Sequence, residues 1–280
     1  MQVLEKKEEE RKISDSKITY FLLKWKCGGK NNMEYEIIGG SFPIVECTLK
    51  SGEAMITQSG SMAWMDPTIK METSTNGGIG KVVGRLFTKE ALFQNIYTSE
   101  KDGSKIAFGT AVPGSIRAIK IEAGKTVICQ KSSFLASYGN VEVSTFFNKK
   151  IGVGIFGGEG FIMQKFSGEG IVFVEIDGSN KEFELKEGEK LILSTGYLVT
   201  MDDTCQIDVQ TIKGMKNIFL GGEGIFNTVI TGPGKVVVQT MPLAKLSNSI
   251  AAYLPLNNSS SGSGNDAIDA GVSIFKMFNK

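Results

Sequence analysis

The 280 residues carry 31 Lys and Arg against 30 Asp and Glu, a formal charge of +1, so no overall field draws the chain to nucleic acid or anionic lipid. There is no histidine, which removes the commonest general base near neutral pH and the commonest metal ligand. The four cysteines, Cys27, Cys47, Cys129 and Cys205, lie far apart without a CxxC pair, so neither a zinc site nor a disulfide framework is expected, and reduced thiols in a cytoplasmic protein are.

Residues 1–32 begin with the charge run EKKEEERK, too acidic for a targeting segment, and are expected to form a solvated helix or arm. From residue 33 the pattern changes. Glycine is frequent at 34 residues, proline scarce at 6, and runs of four to eight residues rich in Val, Ile, Phe and Thr alternate with turn signals. That pattern predicts an all-β domain over 33–256. No run in the chain approaches the roughly 20 apolar residues of a membrane-spanning helix.

Internal repetition organises the domain. CTLKSGEAMITQSGSMAWMD (47–66), IKIEAGKTVICQKSSFLASY (119–138) and FELKEGEKLILSTGYLVTMD (183–202) align without gaps, with turn glycines Gly52, Gly124 and Gly188 spaced by 72 and 64 residues. A second element repeats at the same 64-residue offset: GGEGFIMQKFSGEG from Gly157 and GGEGIFNTVITGPG from Gly221. Strands this short cannot bury their apolar faces alone, so three similar β units are expected to pack around a pseudo-threefold axis as a β sandwich or prism. Beyond them, residues 257–266 have a Ser/Gly/Asn linker composition. In the tail, 267–280, Ile268, Val272, Phe275 and Phe278 fall on one helical face. Phe275 and Phe278 are the candidate interaction residues, for docking on the domain itself, a partner or a lipid surface.

The glycine-rich stretches do not complete phosphate motifs. Gly124-Lys125-Thr126 ends like a P-loop, but Ile119 stands where its first glycine is needed; TNGGIGKV (75–82) fails in the same way and reads as a mobile loop. The glycines of GGEGFIMQKFSGEG lack the spacing of a dinucleotide fingerprint, since Met163 holds its last glycine position, and are expected to be turn residues. Glu159 and Glu223 of the two GGEG stretches, with Asp202 and Asp203, are the carboxylates to examine for acid/base or divalent-cation chemistry; capping turns or facing water is the competing role. Cys47 and Cys129 sit in alternating strands as small hydrophobes. Trp64, between Met62 and Met65, is expected in a strand covered on both sides, in the core or at a protomer interface.

Taken together, GGSFPIVECTLKSGEAMITQSGSMAWM, GGEGFIMQKFSGEG and GEGIFNTVITGPGKVVVQTMPLAKLSNSIAAYLP resemble the widespread bacterial family related to the mitochondrial protein altered inheritance of mitochondria twenty-four. The resemblance spans roughly Met33 to Pro255. It implies a fold like the tryptophan RNA-binding attenuation protein, brings no catalytic motif, and suggests by analogy with mitochondrial members a scaffold or membrane-peripheral role.

The expectation is therefore a non-enzymatic, cytoplasmic binding or scaffold protein without cofactor or metal. Its partners would be another protein, a membrane surface or further copies of itself. Nucleic acid is not favoured, because no basic cluster is interleaved with aromatics. The alternative is a small-molecule or RNA binding module using a pocket or edge between the β units.

Overall fold

A computed structural model describes residues 23–25, 33–58, 60–74, 94–149, 161–211 and 226–251. These residues are mostly β-strand, in three antiparallel sheets. Two strands lead in, β1 (Leu23–Trp25) and β2 (Glu34–Ile38). Unit 1 follows as β3 (Ile44–Leu49), β4 (Ala54–Gln58), β5 (Met62–Met65), β6 (Ile69–Ser74), β7 (Gln94–Ser99) and β8 (Ser104–Gly109). Unit 2 is β9 (Gly114–Ile121), β10 (Val127–Gln130), β11 (Phe134–Lys149) and β12 (Phe161–Asp177). Unit 3 is β13 (Asn180–Leu185), β14 (Lys190–Ser194), β15 (Leu198–Asp202), β16 (Gln206–Thr211), β17 (Phe226–Thr231) and β18 (Gly234–Gln239), and helix α1 (Leu243–Ala251) closes the order.

The repeat read from the sequence is a repeat of strand register. In the inner triplet of each unit the middle strand places Tyr97 between Met55 and Met71, Phe166 between Val127 and Val143, and Ile230 between Leu191 and Ile207. In the outer triplet, Ile106 lies between Cys47 and Met65, Val172 between Ile119 and Ser137, and Val236 between Phe183 and Met201. Even the irregularities coincide, since each outer triplet shifts register once, at Met62/Trp64, Phe134/Ala136 and Leu198/Thr200. A bulge kept at one position is a built feature that bends the strand. The hairpin glycines are equivalent too: Gly52, Gly124 and Gly188 have φ of +82°, +78° and +73°, a region costly for any residue with a Cβ.

Unit 2 fuses elements that units 1 and 3 keep separate. Asp66 and Asp202 each accept the backbone N–H of Lys105 or Lys235 at 2.8 Å and turn the chain between two strands. Tyr138 occupies the corresponding position in unit 2, and β11 and β12 run straight through, paired over most of their length. This corrects the expectation of turn glycines in SGEG: Gly168 and Gly170 lie inside β12, opposite Val141 and Gly139. A Cβ on Gly170 would stand 2.1 Å from the carbonyl oxygen of Tyr138, so close backbone approach is what requires glycine there.

Units join edge to edge. The outer triplet of unit 2 pairs with the inner triplet of unit 1 through Ile56↔Ser137, and that of unit 3 with unit 2 through Ile128↔Met201, in the same register. The joined strands are buried on both faces, and alternate residues feed two cores. Val172, Val174 and Ile176 enter the core of unit 2, while Ile171 and Phe173 enter that of unit 1. Likewise Val236 and Val238 serve unit 3, and Val237 serves unit 2.

Two elements were not expected. Leu23–Trp25, within the predicted solvated arm, pairs with β2 and extends the sheet of unit 1. Helix α1 starts at Pro242, whose carbonyl accepts the N–H of Lys245 and Leu246, while the Asp177 carboxylate accepts the otherwise orphan N–H of Leu243 at 2.8 Å.

Candidate functional site

The acidic residues singled out from the sequence do not form a reaction centre among the described residues. Asp202 is spent on the backbone N–H of Lys235, as Asp66 is in unit 1, and the Asp203 carboxylate accepts the hydroxyl of Thr126. Each therefore fixes a turn or a unit junction. Glu159 and Glu223, the loop 75–82, Cys27, and Phe275 with Phe278 lie outside the described residues. Among the described residues no group of three or more Cys, Asp or Glu is placed to hold a metal ion. Lys125 of the P-loop-like ending follows the turn glycine, with its ammonium 2.8 Å from Glu122.

Cys47 and Cys129 are fully buried, as expected of small hydrophobes, and burial holds both thiols well above their ordinary range. Burial raises Cys205 as well, with the neighbouring Asp202 charge acting in the same direction. Thiols held protonated are poor nucleophiles.

Two carboxylates that the sequence reading passed over are raised above their ordinary range by burial. Glu175, near the end of β12, accepts the backbone N–H of Ala111 at 3.0 Å; burial pushes its carboxyl up to about 7, against that hydrogen bond and with a small push from Asp177. Burial also raises Asp177, which the Leu243 N–H opposes. Perturbed acids often mark reaction centres. Here the repeat supplies a structural reason instead. The residue equivalent to Glu175 in unit 3 is Gln239, which does the same anchoring without charge, accepting the Asp177 N–H at 3.0 Å and donating to the Gly196 carbonyl at 2.8 Å. The sequence signal was an acid inside the apolar run IVFVEI, visible only once β12 is known to be covered on both faces.

A polar row crosses the inner triplets at equivalent positions, with Asn95 and Thr228 buried and Gln164 half-buried. Asn95 accepts the Thr73 hydroxyl at 3.0 Å and Thr228 donates to Thr195 at 3.2 Å, whereas the side-chain oxygen of Gln164 is buried without a hydrogen-bond partner.

The most distinctive surface is made of strand edges. Trp64 is 41% exposed in the single chain, which corrects the expectation of a place in the core and leaves that of a protomer interface; its indole N–H donates to Glu46 at 3.2 Å, beside the Lys105–Glu46 ion pair at 2.6 Å. Ile192 in β14 is 64% exposed. Among the described residues β5 pairs only with β8, and β14 only with β17, so each presents unpaired backbone groups along its other edge. No helix among the described residues is long and apolar enough to cross a membrane.

Comparison with known proteins places this architecture. The family model for mitochondrial biogenesis AIM24 matches residues 35–241, nearly the whole three-unit region. The crystal structure of protein SPYM3_0169 from Streptococcus pyogenes superposes with a TM-score of 0.64 at 24% identity, over 79% of this chain and 100% of that one, a likeness of fold. Among curated proteins none matches the chain.

Proposed function

We propose that this chain, which belongs to the AIM24 family, is a non-enzymatic scaffold or binding protein of the cytoplasm that works through its strand edges and surfaces. One observation carries the reading: the same edge-to-edge junction, Ile56↔Ser137 and then Ile128↔Met201, is used twice to add a β unit to its neighbour. Main-chain pairing of this kind recognises another sheet edge and needs no reacting group. The carboxylates that can be followed support it, because Asp202, Asp203, Glu175 and Asp177 are each committed to a backbone or hydroxyl donor.

The finer form of the proposal arranges the three units about an approximate threefold axis. Among the described residues β14 and β5, the edges that correspond to the two junctions already formed, do not pair with each other, so that arrangement leaves its third junction unmade within the chain. The sequence of the tail, with Phe275 and Phe278, adds a second contact for a protein partner or membrane surface.

Native mass spectrometry of gently purified full-length protein tests the proposal. Bare chains or bare oligomers are expected. A stoichiometric small molecule retained by the protein would overturn it, as would a turnover activity abolished by substituting one of these carboxylates.

A further inference from the structure

The two open edges have known counterparts inside the chain. Each junction joins the first strand of an inner triplet to the bulged strand of the next outer triplet: β4 to β11, then β10 to β15. Continuing the offset of 64 residues on one side and returning by 136 on the other makes β14 the inner member and β5 the outer member of a third junction. Its register would be Ile192↔Met65, flanked by Leu193↔Trp64 and Leu191↔Asp66.

Burial at the equivalent positions shows what is missing. Ile56 and Ile128 are 8% and 0% exposed, and Ala136 and Thr200 are 0% and 4%. Their counterparts Ile192 and Trp64 are 64% and 41%. The cores tell the same story. Unit 1 is completed by Leu135, Ala136, Ile171 and Phe173 from unit 2, and unit 2 by Val199 and Val237 from unit 3. In unit 3, Leu191 and Leu193 remain only partly buried. The outward face of unit 1 is already composed like one that joins: its Glu46–Lys105 pair stands where unit 3, which does join, carries Glu182–Lys235 at 3.6 Å. Among the described residues of the three units the other free edges lie on β6, β16, β9 and β13; the counterparts of the first two pair with no neighbouring unit, and that of the last two, β3, pairs with β2 of its own chain, so the repeat gives none of them a junction between units.

We infer that β14 of one copy of this chain receives β5 of a second copy, making the third junction between molecules in the register Ile192↔Met65. The inference rests on the scaffold reading above and names its partner. The contact is head-to-tail, so it closes as a ring or continues as a filament. It also gives a use to two edges that an isolated chain would have to protect from uncontrolled pairing.

Sedimentation velocity of the full-length chain, with Ile192→Lys and Trp64→Lys variants, tests this. The wild type is expected to associate, and each substitution to weaken association by more than about tenfold. Mixing the two variants is the decisive step, since each keeps the edge the other lacks: the mixture is expected to form a one-to-one dimer that grows no further. A mixture that stays monomeric, or a wild type monomeric at all concentrations, would overturn the inference. A second measurement does not depend on how these variants fold. Ile192→Cys and Met65→Cys on separate chains are expected to cross-link on oxidation, whereas the double variant closing a disulfide within one chain at high dilution would place the junction inside the molecule and refute the proposal. Turnover and bound small molecules are read by separate measurements, so failure of self-association is distinct from failure of the scaffold reading.

Discussion

Glu175→Gln should make the protein more stable at neutral and alkaline pH, by an amount the structure sets. In the folded chain burial raises the Glu175 carboxyl from an ordinary 4.5 to about 7. Between those values the folded state keeps a proton that the unfolded state releases, so stability falls as pH rises through the window and levels off above about 7. Each pKa unit is worth about 1.4 kcal/mol, which makes the full cost about 3 kcal/mol at pH 8 and close to zero below pH 4.5. Gln at this position keeps an acceptor for the Ala111 N–H and carries no charge, as Gln239 does at the equivalent site of unit 3. Urea unfolding of both proteins at pH 4.5, 6 and 8 isolates the effect, because Asp177 and the other carboxylates titrate in both. The variant should gain about 2–3 kcal/mol over wild type at pH 8 and almost nothing at pH 4.5. A variant equal to or weaker than wild type at pH 8, or a difference that does not change with pH, would refute the reasoning.

Other substitutions read the repeat directly. Asp66→Ala and Asp202→Ala remove the same bond from equivalent turns and should cost about the same, roughly 1 kcal/mol each in chemical unfolding; clearly unequal costs would break the equivalence of units 1 and 3. Gly188→Ala, at φ +73° with open space around it, should cost about 1 kcal/mol. Gly170→Ala drives a Cβ against the Tyr138 carbonyl and should cost clearly more in the same assay. Tyr138 donates its hydroxyl to Glu53 at 2.7 Å across the first junction, and burial together with that carboxylate pushes its phenol above the ordinary range. Tyr138→Phe should therefore lower stability by about 1–2 kcal/mol, measured by thermal unfolding.

The repeat was legible because hairpin turns have a local cause. A glycine at positive φ between two alternating strands leaves the same mark three times, at Gly52, Gly124 and Gly188, and the register of the strands follows from it. What followed from distant partners was not legible. Helix α1 takes its cap from Asp177, 66 residues away, and its sequence LAKLSNSIA has too little helical propensity to announce itself. Gly168 and Gly170 look like the turn glycines of unit 3, but the replacement of an aspartate by Tyr138 lets the two strands of unit 2 continue. Glu175 was passed over, because its perturbation depends on β12 being covered on both faces by strands distant in sequence. Trp64 was expected in the core or at a protomer interface; it lies outside the core, on a strand that pairs only with β8 among the described residues. The carboxylates of Asp202 and Asp203 were visible as candidates; that backbone and hydroxyl donors occupy them required the fold.

The account stands on three copies of one unit joined through equivalent edges, and residue-resolved amide exchange on the full chain, at a dilution where it is monomeric, tests that most directly. It predicts comparable protection around Tyr97, Phe166 and Ile230 in the three middle strands. It further predicts that β4 and β10, paired on both sides, exchange far more slowly than the outward amides of β14. Protection of β14 equal to that of β4 and β10 in the monomer, or rapid exchange of all three, would contradict it.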